Sequence, residues 1–182
     1  FTTTTTSFRA LEKRRLRAQK TAEKLGYGIG DVIASRYEVR DLIGVGPLGA
    51  VYRVLDQEID VDVALKVMHP HLLEDAKARE NFSATIRKVR KLSQQNIVRL
   101  YDDDTDGERA FFTMQLLEGL TLRKVIGLRQ DKGQRFTVKE IEPVMAQIAM
   151  ALSHAHRHTV HGDLKPENVL ILPDVLKLTD FS

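Results

Sequence analysis

The chain has 182 residues, 42 % of them apolar and 29 % charged, with no cysteine and a formal net charge of +3. That is the composition of an ordinary globular chain long enough to bury a real core, in one or two domains. It excludes disulfide and thiolate chemistry, fits the reducing cytoplasm as the expected location, and leaves no run of 18 uncharged apolar residues as a candidate membrane span.

The charge is unevenly placed. Residues 1–29 hold seven Lys/Arg and two Glu, and without that +5 segment the remainder is net −2. The globular part therefore gives no case for specific nucleic-acid binding. The first residue is Phe1, which suggests a fragment or a processed chain.

Thr2–Thr6 is a low-complexity run read as a linker. Ser7 can cap a helix running to about Leu25, in which Phe8, Leu11, Ala18, Ala22 and Leu25 recur at three- and four-residue spacing. Cations occupy its other faces. Such a helix is either a solvated linker or docks on a partner or an anionic surface. Gly26, Gly28 and Gly30 break it.

From Arg36 the pattern predicts strands over Tyr37–Ile43, Ala50–Asp56 and Val61–Met68. A helix is predicted over Ala76–Leu92, with Phe82, Ile86, Val89 and Leu92 on one face. Strands follow at Ile97–Asp102 and Ala110–Leu117, joined by an acidic turn that contains Asp106-Gly107. A long helix is predicted over Thr137–His156, with Ile141, Val144, Ile148, Leu152 and His156 along its face. Val169–Ile171 and Leu176–Leu178 read as short strands. A β-β-β-α-β-β run followed by mostly helix suggests an α+β protein with a small sheet lobe and a helical lobe.

One stretch stands apart. Residues 82–101, FSATIRKVRKLSQQNIVRLY, contain no Asp or Glu but carry Arg87, Lys88, Arg90, Lys91 and Arg99. They form either a basic binding face or, more simply, the solvated side of an amphipathic helix.

Gly44, Gly46, Gly49 and Val51 fit G-x-G-x-x-G-x-V between two predicted strands. Glycines let a backbone approach phosphates, and Val51 can cover a base; alone, such a motif is equally a structural turn. A strand rather than a helix follows it, which disfavours a dinucleotide fingerprint, and the Lys-Ser/Thr of a phosphate-binding P-loop is missing. Lys66 then stands in the apolar strand Val63-Ala64-Leu65-Lys66, where the simpler reading is a snorkelling edge residue. His161-Gly162-Asp163-Leu164-Lys165-Pro166-Glu167-Asn168 and Asp180-Phe181-Ser182 complete the series.

Taken together, these segments from Tyr37 to Ser182 resemble, in order and spacing, a protein kinase of the serine/threonine type. The resemblance implies a bilobal fold: a basic segment over 1–29, a sheet-rich lobe and hinge start over 30–117, and part of the helical lobe over 118–182. It implies ATP and Mg2+ as cofactors. Gly44, Gly46 and Gly49 would cover the ATP phosphates, and Lys66 would hold the α- and β-phosphates. Asp163 would accept the substrate hydroxyl's hydrogen bond, and Lys165 would neutralise the transferring phosphoryl group. Asn168 and Asp180 would bind magnesium. Val51, Ala64 and Leu170 would enclose adenine, Met114 would be the gatekeeper, and Gln115 to Leu117 the hinge.

Three positions depart from the family pattern. The helix after Lys66 should carry a Glu that pairs with the lysine. Counting forward from Lys66 and back from Asn96 both lead to Thr85, and a threonine cannot neutralise a buried ammonium. Gly162 stands where the arginine that reads a phosphorylated activation loop is expected, and Ser182 replaces a glycine. The activation segment and the peptide platform would lie beyond Ser182, so a longer protein is expected and this stretch alone should not turn over substrate.

These departures make a pseudokinase the favoured reading, a scaffold for a protein partner with nucleotide binding left open. The alternative, supported by the intact Lys66, Asp163, Lys165, Asn168 and Asp180, is an active kinase in the full-length protein, acting on protein hydroxyls. A phosphotransferase acting on small molecules is a more remote alternative. His154, His156, His158 and His161 invite a metal reading, but no carboxylate stands at ligand spacing. Helix-end packing for His156 and a structural motif role for His161 are expected instead.

Overall fold

The computed structural model describes residues 26–181. The Thr-rich run, the expected helix at 7–25 and Ser182 lie outside the described residues. The described residues divide into two compact units, 26–73 with 103–116, and 74–102 with 117–181.

The first unit is built on an antiparallel sheet. Its strands are β1 (Val32–Ile33), β2 (Tyr37–Gly46), β3 (Gly49–Asp56), β4 (Val61–Met68), β5 (Leu100–Asp106, of which Asp103–Asp106 belong here) and β6 (Arg109–Met114). Their spatial order is β1-β2-β3-β4-β6-β5. Period-two alternation sorts the side chains. Ala50, Tyr52 and Val54 of β3 stand opposite Val67, Leu65 and Val63 of β4, and all six are buried in one apolar cluster. Phe111, Val39 and Tyr37 complete that face, where each large side chain is worth about 1.5–3 kcal/mol of burial. Residues of the opposite parity, including Val51, Ala64 and Lys66, fall on the other face.

The cluster also holds Tyr27, a residue that the sequence pattern left inside a glycine-rich break. Its ring meets Tyr52 edge-on at 6.2 Å, and Arg109 lies 5.1 Å over it. Its hydroxyl donates to Asp106 at 2.6 Å. Burial, and then the neighbouring Asp106 carboxylate, push the phenol up to about 12.

In the second unit, α1 (Ala76–Arg90) starts at Asp75, whose side chain accepts from the Ala78 N–H at 2.7 Å. It buries Ile86 and Val89 and carries Arg87, Lys88 and Arg90 in its last turn, where cations suit the helix dipole. Helices α2 (Leu122–Asp131) and α3 (Val138–Ala155) follow. Thr137 and Glu140 form a reciprocal capping box at the start of α3, and Arg129 binds Glu140 at 2.5 Å. That guanidinium and the Thr137 cap hold the Glu140 carboxyl down to about 2. A small sheet of β7 (Leu120–Thr121), β8 (Val169–Ile171) and β9 (Leu176–Leu178) runs in that order.

Several expectations need correction. The strand expected at Ile97–Asp102 begins at Leu100 and continues through the acidic residues to Asp106. The acidic residues can pair through their backbones because side-chain partners answer part of their charge, Tyr27 at Asp106 and Arg90 at Asp102, and Ile97 instead bridges Leu178 of β9. The following strand ends at Met114, short of Leu117. Helix α3 buries Ile148, Ala151 and Ala155, whereas Ile141 is 42 % exposed and His156 is an exposed C-cap. The buried stripe is thus made partly of small residues, which a search for large apolar side chains passes over. The sequence pattern does not signal strand β1, helix α2, strand β7 or the 3-10 turn Pro70–Leu73.

Candidate nucleotide and phosphoryl-transfer site

In the first unit, the sheet face opposite the apolar cluster assembles most of the expected nucleotide residues. Register sets Gly44 beside Val51, Val51 beside Lys66, and Lys66 beside Phe112. Ala64 lies opposite Met114, two residues from Lys66 and hence on the same face. Lys66 is only 6 % exposed and belongs to a strand flanked by β3 and β6, so the edge-lysine reading fails. A lysine buried in the middle of a sheet is an unusual placement for that residue type.

The glycine motif forms a hairpin in which Gly46 pairs with Gly49 across Pro47-Leu48. Two register shifts in β2, between Val39 and Asp41 and between Leu42 and Gly44, bend the strand ahead of it. The glycines differ in what they do. A Cβ on Gly49 would lie 1.9 Å from the Val67 carbonyl oxygen, so this glycine lets the turn close on β4. A Cβ on Gly44 or Gly46 would meet nothing within 4 Å, so open space remains beside the backbone there, as a phosphate group requires. Gln115 continues from β6 and is half-buried.

In the second unit, Asp163, Lys165 and Asn168 form one hydrogen-bonded cluster. Lys165 Nζ lies 2.5 Å from Asp163 Oδ2. Asn168 Nδ2 donates to the Asp163 carbonyl at 2.8 Å and to its Oδ2 at 3.1 Å. The Lys165 ammonium holds the Asp163 carboxyl below the usual carboxylate range, and the carboxylate in turn raises Lys165. A short 3-10 turn, Pro166–Asn168, brings Asn168 back toward Asp163. Its amide nitrogen is thereby committed, which leaves Oδ1 as an oxygen donor suited to a hard cation such as Mg2+.

Asp180 carries the second expected oxygen donor. Its φ is +59°, a left-handed conformation that aspartate tolerates better than most residues. Thr179, just before it, donates its backbone N–H to the Asn168 carbonyl at 3.0 Å and its hydroxyl to the same oxygen at 3.5 Å, so the two expected metal residues are tied through Thr179. His161 is buried, packs on Phe181 at 4.5 Å, and has its pKa lowered by desolvation. It is thus a neutral packing residue beside Asp163. Gly162 has φ +80°, a region glycine enters without strain. Leu170 is half-buried in β8, and Leu117 is half-buried ahead of β7.

Thr85 is half-buried on α1, next to Ile86. Arg87, Lys88, Arg90 and Lys91 are exposed, with Arg90 3.2 Å from Asp102. With Ala84 these four line an open surface groove.

Sequence reasoning used Asn96 only as a landmark for counting and gave it no structural part. Fully buried, it donates through Nδ2 to Gln147 at 2.8 Å and to the Leu176 carbonyl at 3.0 Å. Its carbonyl accepts from the Leu178 N–H at 2.7 Å, so it fixes β9, the strand that leads to Asp180. The signal available in the sequence was a polar residue just ahead of the apolar pair Ile97-Val98.

The family model for the protein kinase domain matches residues 37–182. This chain belongs to that family. Among curated relatives it is similar to the serine/threonine-protein kinase PknL of Mycobacterium tuberculosis, 38 % identical over 152 residues, covering 82 % of this chain and 37 % of the relative. A probable serine/threonine-protein kinase of Clostridium acetobutylicum is 34 % identical over 155 residues, covering 84 % of this chain and 23 % of the relative. PrkC of Bacillus subtilis is 32 % identical over 155 residues, with the same two coverages. A crystal structure of the Mycobacterium tuberculosis PknI kinase domain matches with a TM-score of 0.78 and 25 % identity, over 86 % of this chain and 61 % of that one. The fold is the α+β protein-kinase fold, and the relatives are bacterial serine/threonine kinases. The chain spans 23 to 37 % of the length of these curated relatives. No helix among the described residues is long and apolar enough to cross a membrane.

Proposed function

We propose that this chain is the ATP- and Mg2+-binding part of a serine/threonine protein kinase, and that the longer protein transfers the γ-phosphoryl group of ATP to protein hydroxyls. The observation that carries this reading is the cluster of Asp163, Lys165 and Asn168, closed by hydrogen bonds at 2.5 to 3.1 Å. Phosphoryl transfer needs one oriented carboxylate, a nearby cation and oxygen donors for metal, and little covalent chemistry from the protein. Asp163 would orient the substrate hydroxyl, and Lys165 would answer the charge that develops on the phosphoryl group. Asn168 Oδ1 and Asp180 would hold Mg2+, which when bound neutralises phosphate charge. Lys66 would hold phosphate oxygens, Gly44, Gly46 and Gly49 would cover them, and Val51, Ala64, Met114, Gln115, Leu117 and Leu170 would receive the base.

A second reading, a scaffold that holds nucleotide without transferring phosphate, draws on Thr85. Helix α1 offers this half-buried hydroxyl where the resemblance calls for a carboxylate.

The test is thermal unfolding with ATP, with and without Mg2+, on wild type and Lys66→Met. ATP at about 100 times its Kd adds about 2.7 kcal/mol, a shift of several degrees. A Mg2+-dependent shift that Lys66→Met abolishes supports the nucleotide site, and no shift in wild type sinks both readings. Labelled phosphate transfer by the full-length protein, with Asp163→Asn as control, separates kinase from scaffold.

A further inference from the structure

We propose that His69 is a positioning residue for the nucleotide site: it clamps the glycine hairpin to the end of β4. This inference rests on the nucleotide-binding reading and deepens it. The imidazole Nε2 lies 3.1 Å from the Gly46 carbonyl oxygen. A carbonyl only accepts, so Nε2 carries the hydrogen and donates. The backbone N–H of the same residue donates to the Leu48 carbonyl at 3.0 Å. One residue therefore holds the carbonyls on both sides of Pro47, the one from its side chain and the other from its main chain.

His69 is itself well supported. It follows Met68, the last residue of β4, and precedes Pro70, whose fixed φ opens the 3-10 turn Pro70–Leu73. Its carbonyl accepts from Leu72, and Leu73 is buried. The His71 ring stacks on the His69 ring with centroids 5.5 Å apart and planes at 18°, which limits how the imidazole can turn.

The physical need for such a clamp follows from the hairpin's composition. Gly44 and Gly46 have no protein atom near a Cβ position, so no side-chain packing orders them. Glycine loses more backbone freedom on ordering than any other residue. A nucleotide that had to order this turn would lose affinity, and a turn ordered beforehand restores it. Pro47 stiffens the turn at one φ, and Gly49 closes it on Val67. The His69 side chain adds a hold on Gly46, one of the two glycines left open.

The experiment compares wild type, His69→Ala, His69→Gln and His71→Ala in the same chain. Two quantities are measured: hydrogen exchange at the Gly49 amide, which pairs with Gly46 across the turn, without nucleotide, and the Kd for ATP with Mg2+. In His69→Ala, exchange at that amide should quicken about tenfold and the Kd should rise about fivefold, the effect of one lost hydrogen bond. The unfolding midpoint should stay within a degree or two of wild type. His69→Gln, whose amide nitrogen can reach Gly46, should recover most of both effects, and His71→Ala should give part of them. Wild-type exchange and wild-type Kd in His69→Ala overturn the proposal. So does a weaker Kd that tracks a lower midpoint and that Gln does not rescue. If wild type binds no ATP, the nucleotide reading fails, and the clamp fails with it as a device of that site. If wild type binds and His69→Ala binds equally, only the clamp fails.

Discussion

The Lys165 ammonium lies 2.5 Å from the Asp163 carboxylate, and Asn168 donates to the same oxygen from 3.1 Å. Both neighbours favour the ionised carboxyl, and the Lys165 hydrogen bond is the larger influence. Replacing Lys165 by Ala should therefore move the Asp163 pKa up toward the ordinary carboxylate range. A pH titration of the Asp163 side-chain carboxyl by NMR reads this directly. The pair is more than one-third exposed, so little change in stability at pH 7 is expected. An Asp163 pKa that stays put in Lys165→Ala would mean that the ion pair does not form in solution.

Thr85 offers a second test. If it occupies the place of the missing carboxylate, Thr85→Glu should raise ATP affinity several-fold and make Lys66→Met more damaging than it is in wild type, a coupling that a double-mutant cycle isolates. The readout is the Kd for ATP with Mg2+ in the four variants. Additive effects would place the lysine's partner elsewhere.

How much of this was legible in the sequence depended on the kind of signal. Strands β3, β4, β8 and β9 follow from β-branched runs and turn residues, and their predicted bounds hold to within a residue. The motifs single out Lys66, Asp163 and Asn168 by residue type and order, and the structure buries Lys66 in β4 and hydrogen-bonds Asn168 to Asp163. Long-range packing was less legible. Tyr27 sits beyond the family match, and its burial depends on Asp106 and Arg109, about eighty residues away. Asn96 reads as a polar loop residue until Gln147 and Leu176 are placed beside it. Helix α3 misled because Ala151 and Ala155 do the packing. The clamp on the glycine hairpin was hidden for a similar reason: one hydrogen bond joins His69 to a turn some twenty residues earlier.

Gly49 should be the least replaceable glycine of the hairpin. A Cβ there meets the Val67 carbonyl oxygen at 1.9 Å, a contact with backbone that no rotamer relieves, at a φ of +154°. Gly49→Ala should cost about 2–4 kcal/mol, the range of severe overpacking with backbone strain. Gly46→Ala, with nothing within 4 Å, should cost well under half of that. Urea unfolding of the two variants gives the comparison, and equal losses would contradict the close approach of the turn to β4.

Asn96→Ala should cost about 2–3 kcal/mol, because it leaves the buried Leu176 carbonyl and Gln147 without the donor they share. It should also loosen β9. Hydrogen exchange at Leu176 and Leu178 would then quicken more than exchange in β3, which lies in the other unit. A uniform rise across both units would argue that the loss is global rather than local.

Arg36 and Asp56 give the clearest pH dependence. The guanidinium donates through Nε and Nη2 to the two carboxylate oxygens at 2.8 and 2.7 Å, and Asp56 is only 3 % exposed. That hydrogen bonding lowers the Asp56 pKa against the opposing effect of burial. A carboxyl with a depressed folded-state pKa stabilises the fold above its ordinary value, near 3.8, and loses that contribution as pH falls through the lowered value. Stability should therefore drop in acid, below about pH 4. Asp56→Asn should cost about 3 kcal/mol at pH 7, toward the lower end for a broken buried pair, because exposed Glu58 still reaches Arg36 at 2.9 Å. The same variant should lose less stability than wild type between pH 7 and pH 3, since the titrating group is gone. Urea unfolding at the two pH values measures both quantities. An acid loss in Asp56→Asn as large as that in wild type would assign the pH dependence to other carboxylates.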